Sequence, residues 1–351
     1  MAEKVLVTGA SGFLGSRLVR KLVESGEQVK ALVRPTSSLR ALDGIARDNL
    51  EIVHGDVMIA HTVYRNLAGC DRLYHVAAVN QLWDPRPERI LDAAIVGTEQ
   101  TLEAARKRGL AKVVYTSSAG VLGTTGEEPM DESHALNLSD PETYVEAKAK
   151  AEERALSFYS EHGLPVVVVN PSVIVGPGDY RPTPAGQGIL RYLEWSQPFG
   201  FPMVAGGLSV VDVDDVAQGH ILAMQKGRPG ERYILGGDNL SYEQMFGVLS
   251  ELTGLEPPGG AVGQGLVEFA GRLSELYARW SGKEPLIGYR SARDFGSANS
   301  WVSSEKAERE LGYTHRSARK ALLRHVQFIL EQRLVSGDQR RRIRVDLRAV
   351  A

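Results

Sequence analysis

The chain has 351 residues, about twice the size of a common single domain, so one large domain or two closely packed ones are expected. Its 43% hydrophobic and 24% charged residues suit a globular protein with a sizeable core, and 41 basic against 43 acidic residues give a formal net charge of −2. This balance argues against nucleic-acid or membrane-surface binding through bulk charge, one cysteine (Cys70) rules out an internal disulfide framework, and no apolar run reaches the ~18 residues of a membrane span. Met1-Ala2-Glu3-Lys4 leads straight into an apolar run with no room for a signal-peptide core, so a cytoplasmic protein is expected.

Along the chain, short β-branched runs at 5–8, 29–33, 50–54, 72–77, 112–117 and 165–170 predict strands. Most are apolar nearly throughout, as parallel strands covered on both faces should be. Helix-period stretches lie between them, notably 91–108 and 144–161. The alternation predicts an α/β architecture: a Rossmann-type doubly wound parallel sheet over residues 1–170, with 209–235 returning to it. The rhythm breaks at 171–208, which is rich in proline and glycine and holds a helical insert at 188–195. Together with 236–335, where helices are predicted at 242–253, 262–280, 303–311 and 318–334, it is expected to form a smaller, mostly helical substrate-binding part. The end, 336–351, carries Arg340, Arg341, Arg342, Arg344 and Arg348 and reads as a basic, solvated, flexible tail.

The first chemical signal follows the first strand: Thr8-Gly9-Ala10-Ser11-Gly12-Phe13-Leu14-Gly15, opening a helix. Gly9 suits the tight turn, Gly12 a close approach of backbone to a pyrophosphate, and Gly15 close packing of helix on strand. A pyrophosphate would sit on the helix N-terminus, where free N–H groups favour negative charge. A strand-to-helix junction is the context that makes this glycine triplet a dinucleotide signal. A carboxylate ending the second strand would favour NAD by accepting from the ribose 2′-hydroxyl, but Arg34 stands there, followed by Pro35-Thr36-Ser37-Ser38. A guanidinium can pair with a 2′-phosphate, so NADP (as NADPH) is expected, with NAD the alternative if Arg34 only stacks on adenine. Asp56, next to Val57, is placed to accept from the adenine amino group, and Ala77-Ala78-Val79 are small enough to let a cofactor approach.

The second signal is Tyr144-Val145-Glu146-Ala147-Lys148, a tyrosine and a lysine at i and i+4 on one helix face. Thr116-Ser117-Ser118 ends the fifth strand, at the carboxyl edge where doubly wound sheets bind ligands. A phenol titrates near ~10 unperturbed, and a nearby ammonium is expected to lower it. Tyr144 could then exchange a proton with a substrate oxygen that a serine hydroxyl holds. Taken alone, a Tyr-x-x-x-Lys is an ordinary surface pair; it gains meaning from the glycine loop and the strand-end serines in the same order along the chain.

With these motifs, and with His75-Val76-Ala77-Ala78 and Asn170-Pro171-Ser172, the chain resembles the extended short-chain dehydrogenase/reductases over roughly residues 3–330. In texture it is most similar to the branch of dihydroflavonol-4-reductase-like carbonyl reductases and hopanoid-associated sugar epimerases. Leu32-Val33-Arg34-Pro35-Thr36-Ser37, Val175-Gly176-Pro177-x-Asp179 and Arg232-Tyr233-Ile234-Leu235-Gly236-Gly237 carry that likeness. The resemblance implies an enzyme with Ser118 as the catalytic serine (Ser117 the fallback), Lys148 also binding the nicotinamide ribose, and Asn170, Pro171, Ser172 and Val173 flanking the nicotinamide. It implies a homodimer paired through the helices at 91–108 and 144–161. Two positions depart from the family pattern: Ala94-Ile95-Val96 precedes Gly97-Thr98 where an asparagine is common, and Asp212 stands where a histidine is common.

The same groups can run a net reduction or a redox-neutral epimerisation. An epimerase needs a retained cofactor and usually an anionic sugar-nucleotide anchor, for which Arg181, Arg191, Arg232 and Arg290 are candidates. The segments expected to close the site are aromatic and apolar: Leu82-Trp83, Tyr180, Tyr192, Trp195, Phe199 and Phe201. They favour a small hydrophobic carbonyl or alcohol, with Trp83, Tyr180 and Ser118 as substrate contacts, although Tyr192 and Trp195 at helical spacing read more readily as core. A non-catalytic dinucleotide sensor is a third reading, which the complete Ser-Tyr-Lys set disfavours. The eight histidines show no ligand pair with carboxylate support, so no metal is expected, and His75 reads as a packing or hydrogen-bonding residue. There is also no Gly-x-Ser-x-Gly elbow of a serine hydrolase.

Overall fold

The computed structural model describes residues 4–78, 84, 86–195, 201, 203–281 and 288–345. Val79, Leu82, Trp83 and Phe199, named above, lie outside them. The apolar runs of the first half form six strands: β1 (Lys4–Thr8), β2 (Gln28–Val33), β3 (Leu50–His54), β4 (Cys70–His75), β5 (Lys112–Thr116) and β6 (Val166–Pro171). The helices between them are α1 (Phe13–Glu24), α2 (Ala60–Asn66), α3 (Glu88–Arg108) and α4 (Thr143–His162). Alternate residues of each central strand serve opposite faces. Val5 and Val7 join Leu14, Leu18 and Leu22 of α1 in one core, whereas Leu6 joins Val63, Leu102, Ala151 and Phe158 of α2, α3 and α4 in another. Period-2 alternation with both sides apolar is why these strands are buried in the middle of three layers.

Beyond β6 the chain forms β7 (Val173–Val175), α5 (Pro184–Glu194), β8 (Gly207–Asp212), α6 (Val213–Lys226), β9 (Arg232–Leu235) and β10 (Asp238–Ser241). Then come α7 (Tyr242–Thr253), α8 (Gln264–Ser281), α9 (Tyr289–Phe295), β11 (Asn299–Ser300), α10 (Glu305–Leu311), α11 (Ala318–Glu331) and α12 (Gly337–Arg342). The main sheet has seven parallel strands in the order β3-β2-β1-β4-β5-β6-β9. The segment 209–235 therefore divides: α6 packs beside α1 and β9 enters the main sheet, while β8 pairs with β7, β10 and β11 in a second small sheet. The cap has its own core, in which Ile189 and Leu193 of α5 meet Phe246 and Leu249 of α7 and Leu322 and Val326 of α11.

The reading of 336–351 as a flexible tail is corrected in its first ten residues. Val335 and Ile343 are buried in the cap core with Val345 packed against them, and the Arg344 amide donates to the Thr253 carbonyl at 2.8 Å. Val335 precedes the arginine run and Ile343 and Val345 interrupt its end, and these apolar anchors decide its conformation. No described helix is long and apolar enough to cross a membrane.

Candidate active site

Crossovers from β1 and β4 leave the sheet in opposite directions, which opens a crevice at their carboxyl ends. There Gly9 takes φ +66°, the Gly12 amide donates to the Gly9 carbonyl at 2.9 Å, and α1 begins with no side chain capping it. Its first N–H groups are thus free to meet an anion. The glycines are sterically required. A Cβ on Gly9 would stand 2.7 Å from the Ala77 amide nitrogen, and one on Gly15 would stand 2.1 Å from the Gly9 carbonyl oxygen. Leu14 is buried in the sheet core, Phe13 packs against it, and Ser11 is half-buried at the turn.

Across the crevice, Thr8 Oγ1 bonds His75 Nδ1 at 2.8 Å and accepts from the Ala77 amide at 3.1 Å, fixing β4's exit against β1. Burial, followed by the charge of Lys148, depresses the His75 imidazole to about 3, so it stays neutral and structural. Arg34 is exposed just past β2, and its guanidinium has no hydrogen-bond partner among the described residues. Asp56 Oδ1 accepts from the Met58 amide at 2.9 Å, and Val57 packs where a Cβ on Gly97 would lie, 3.3 Å from Val57 Cγ2. The Gly-Thr pair after strand four is thus a close-packing position whatever precedes it.

Tyr144 and Lys148 project from the first two turns of α4 toward the end of β5. Together with Ala77, Ala78, Ile90, Ala94, Thr98, Tyr115 and Ala147 they line one cavity. Lys148 is buried and its Nζ donates to the Thr116 carbonyl at 2.9 Å. Burial lowers it to about 8, against the opposing pull of Glu152, so the ammonium predominates at neutrality. The Ser118 hydroxyl accepts from the Gly120 amide at 3.1 Å and lies near enough to the Tyr144 hydroxyl to favour its ionised form, an influence that Ser117 does not exert.

The expected lowering of Tyr144 by Lys148 is not found. Desolvation raises the phenol above its ordinary value, nearby Ser118 pulls it down and Glu142 pushes it up, so Tyr144 is held protonated. Lys148 is committed to the Thr116 carbonyl instead. The Thr116 hydroxyl in turn faces α6, bonding His220 Nε2 at 2.9 Å, and so points away from the crevice.

Along the carboxyl edge, Ser117 Oγ, Asn170 Oδ1 and Ser172 Oγ are buried polar atoms with no hydrogen-bond partner. Pro171 ends β6 and Val173 opens β7 beside them. Orphaned buried groups are rare in folded proteins, and three of the six among the described residues lie here, where a ligand would supply the partners; the others are on Asp71, Thr101 and Asp294. With the glycine cradle and the uncapped helix, they fit a bound dinucleotide.

Several other expectations change. Tyr180 stacks on Phe328 with ring centroids 5.1 Å apart and lies under the Arg40 guanidinium at 4.8 Å, while the neighbouring Gly178 approaches Arg17 and Phe13 of α1. The contacts of Tyr180 are thus with α11 and with the segment after β2. Phe201 packs on Tyr192, Trp195 and Phe246 as cap core, which agrees with the core reading that helical spacing favoured for Tyr192 and Trp195 and changes the expectation for Phe201. Asp212 is fully buried, caps α6 by accepting from the Asp214 amide at 2.8 Å, and pairs with Arg324 at 2.6 Å, so it joins α6 to α11. Among the described residues no group of three or more His, Cys, Asp or Glu side chains could hold a metal ion.

Sequence reasoning missed two buried acidic residues at α4, Glu142 and Glu152. Glu142 immediately precedes the helix and accepts from the Ser291 hydroxyl of α9 at 2.7 Å. Glu152 pairs with Arg232 of β9 at 3.0 Å and accepts from the Asn170 amide at 2.6 Å. The one available signal was periodicity, because Glu152 repeats the Tyr144–Lys148 spacing once more.

The fold and the similarity to known proteins define an NAD(P)-dependent enzyme of the extended short-chain dehydrogenase/reductase type. The sequence profile of the NAD dependent epimerase/dehydratase family matches residues 5–236, and the chain belongs to that family. It is 35% identical over 328 residues to the "Putative dihydroflavonol 4-reductase" of Synechocystis sp., covering 92% of this chain and 93% of that one. It is 34% identical over 332 residues to sterol demethylase protein B of Methylococcus capsulatus, covering 94% and 99%. The crystal structure of gox2253 superposes with a TM-score of 0.83 at 37% identity, covering 95% of this chain and all of that one.

Proposed function

We propose that the protein is an NADP(H)-dependent reductase interconverting a carbonyl and a secondary alcohol on a small hydrophobic substrate, with Tyr144 as the general acid and base. The observation that carries this is the lining of the narrow cavity beside Tyr144, which as it stands has room for little more than one water. Its walls are small or apolar (Ala77, Ala78, Ile90, Ala94 and Ala147), and its polar groups gather at Tyr144, Lys148, Thr98 and Tyr115. A bound nicotinamide supplies the hydride chemistry. The protein's own groups manage the proton and the orientation. Ser118 holds the substrate oxygen against Tyr144, the protonated phenol gives its proton to the forming alcohol oxygen, and Lys148 keeps a positive charge nearby.

The Gly9–Gly15 turn would take the pyrophosphate, with Ser11, Phe13 and Leu14 shaping it. Arg34, Asp56 and Val57 would take the adenosine end, and Lys148 with Asn170, Pro171, Ser172 and Val173 the nicotinamide end. Arg34 supports NADP because it is exposed at the end of β2 with its guanidinium uncommitted. The epimerase reading needs an arginine anchor for an anionic sugar. Of its four candidates, Arg232 is instead tied to Glu152 and Arg290 pairs with Asp140 at 3.0 Å, which leaves Arg181 and Arg191 for that role.

Native protein denatured and analysed by chromatography should release no stoichiometric NAD, and should bind NADPH more tightly than NADH. Arg34→Ala should remove roughly 10- to 100-fold of that preference, the worth of one charge-assisted contact. Stoichiometric NAD released from the native protein would overturn the reading in favour of a retained-cofactor epimerase.

A further inference from the structure

Behind the Ser-Tyr-Lys set runs a second, buried line of polar groups. On α4 the spacing of four carries Tyr144 and Lys148 on to Glu152, which is 4% exposed. One oxygen of Glu152 meets Arg232 Nη1 at 3.0 Å, and the other accepts from Asn170 Nδ2 at 2.6 Å. The same Asn170 nitrogen donates to the Ser118 carbonyl at 3.2 Å. Arg232 also donates through Nε to the Glu132 carbonyl at 2.8 Å and through Nη2 to the His134 carbonyl at 2.6 Å. Two long-range strands and the loop at 132–134 therefore converge on one carboxylate, which reaches the catalytic serine through a single amide.

We propose that Glu152 is a positioning residue of this site. Its carboxylate holds the Asn170 amide against the Ser118 carbonyl and serves Lys148 as the counter-charge on the same helix face, with Arg232 clamping it from β9. This rests on the reading of Ser118, Tyr144 and Lys148 given above. A buried carboxylate left unpaired is costly, so its partners are part of the device. The titratable and charged groups around Lys148 are His75 on β4, Tyr115 on β5 with its ring 5.8 Å from Nζ, and Tyr144 and Glu152 on α4. His75 is neutral and Tyr115 is held protonated by burial, which leaves Glu152 as the anion that favours the ammonium. Removing it moves Lys148 deprotonation to lower pH, and the alkaline limb of turnover follows.

The test is a pH titration of Lys148 by NMR in protein carrying 13Cε-lysine, with the resonance assigned from Lys148→Met and no cofactor or substrate added. Glu152→Gln should lower the Lys148 midpoint by about one pH unit, a tenfold change in proton affinity. Arg232→Gln, which frees the carboxylate from its cation, should raise it, and decides the matter if Glu152→Gln does not fold. Unchanged midpoints in folded variants would overturn the proposal, since a merely structural Glu152 would alter thermal stability alone. The titration needs no turnover. A Tyr144→Phe enzyme that remained active would sink the catalytic reading while leaving this result to stand or fall by itself.

Discussion

At the scale of single residues, the site combines groups whose charge state follows from burial. Tyr144 is kept as a phenol, Lys148 is brought to about 8, and Glu142, two positions before the tyrosine, is raised to about 7. Burial is the first cause for Glu142. Asp294 and Glu275 add to it, while the Ser291 hydrogen bond and Arg290 oppose it. Because its native carboxyl is raised above the ordinary value of 4.5, the stability it contributes is present below that range and is lost as pH rises through about 7. Glu142→Gln can still accept from Ser291. It should match the native protein in urea unfolding at pH 4 and exceed it at pH 8 by on the order of 2 kcal/mol. An equal gap at both pH values would contradict the assignment. The placing of the tyrosine and lysine on one helix face and of serines at a strand end was legible, because i and i+4 on a helix and a strand end are local geometry, whereas the choice of Ser118 over Ser117 came from the family resemblance. Glu152 shares that spacing, but Asn170 lies 18 residues away and Arg232 lies 80, so nothing local in the sequence announces their meeting.

Among the elements, the glycine turn was the most legible, since each of its constraints lies within a few residues of the next or against the end of β4. α5 begins at Pro184, four residues before the predicted 188, because Thr183 caps it by accepting from the Gly186 amide at 3.2 Å and proline suits the first turn. The strand at 207–212 was legible as a strand but not in its partner, because sheet membership is set by long-range pairing that residue pattern does not encode. α12 was missed because its arginines outweigh two apolar anchors in any composition window. Ile343→Ala should cost about 2 kcal/mol in equilibrium unfolding if that segment is docked as described, whereas a change under ~0.5 kcal/mol would mean a loose tail. α8 shows the converse pattern. Val267, Gly271 and Ala278 seat it, while Leu266, Phe269, Leu273, Leu276, Tyr277 and Trp280 form an exposed stripe at helical spacing.

Taken as a whole, the molecule is a seven-stranded sheet that ends in a crevice, with a cap tied across it. Arg17 of α1 and Arg324 of α11 share Asp214 of α6 at 2.7 and 2.5 Å, so the glycine-loop helix and the cap meet on one carboxylate. The sheet was readable because parallel strands buried on both faces leave long apolar runs. The cap was readable only as helices, since its core is made by contacts between distant segments. The central claim is that Tyr144 transfers the proton in an NADPH-dependent reduction. The most direct test is single-turnover oxidation of NADPH by a hydrophobic ketone that the native enzyme reduces, compared between native and Tyr144→Phe protein with NADPH affinity measured alongside. NADPH binding within about twofold of native, with the rate reduced by about 10²- to 10⁴-fold, is the predicted result. A Tyr144→Phe enzyme that turns over at the native rate would contradict it.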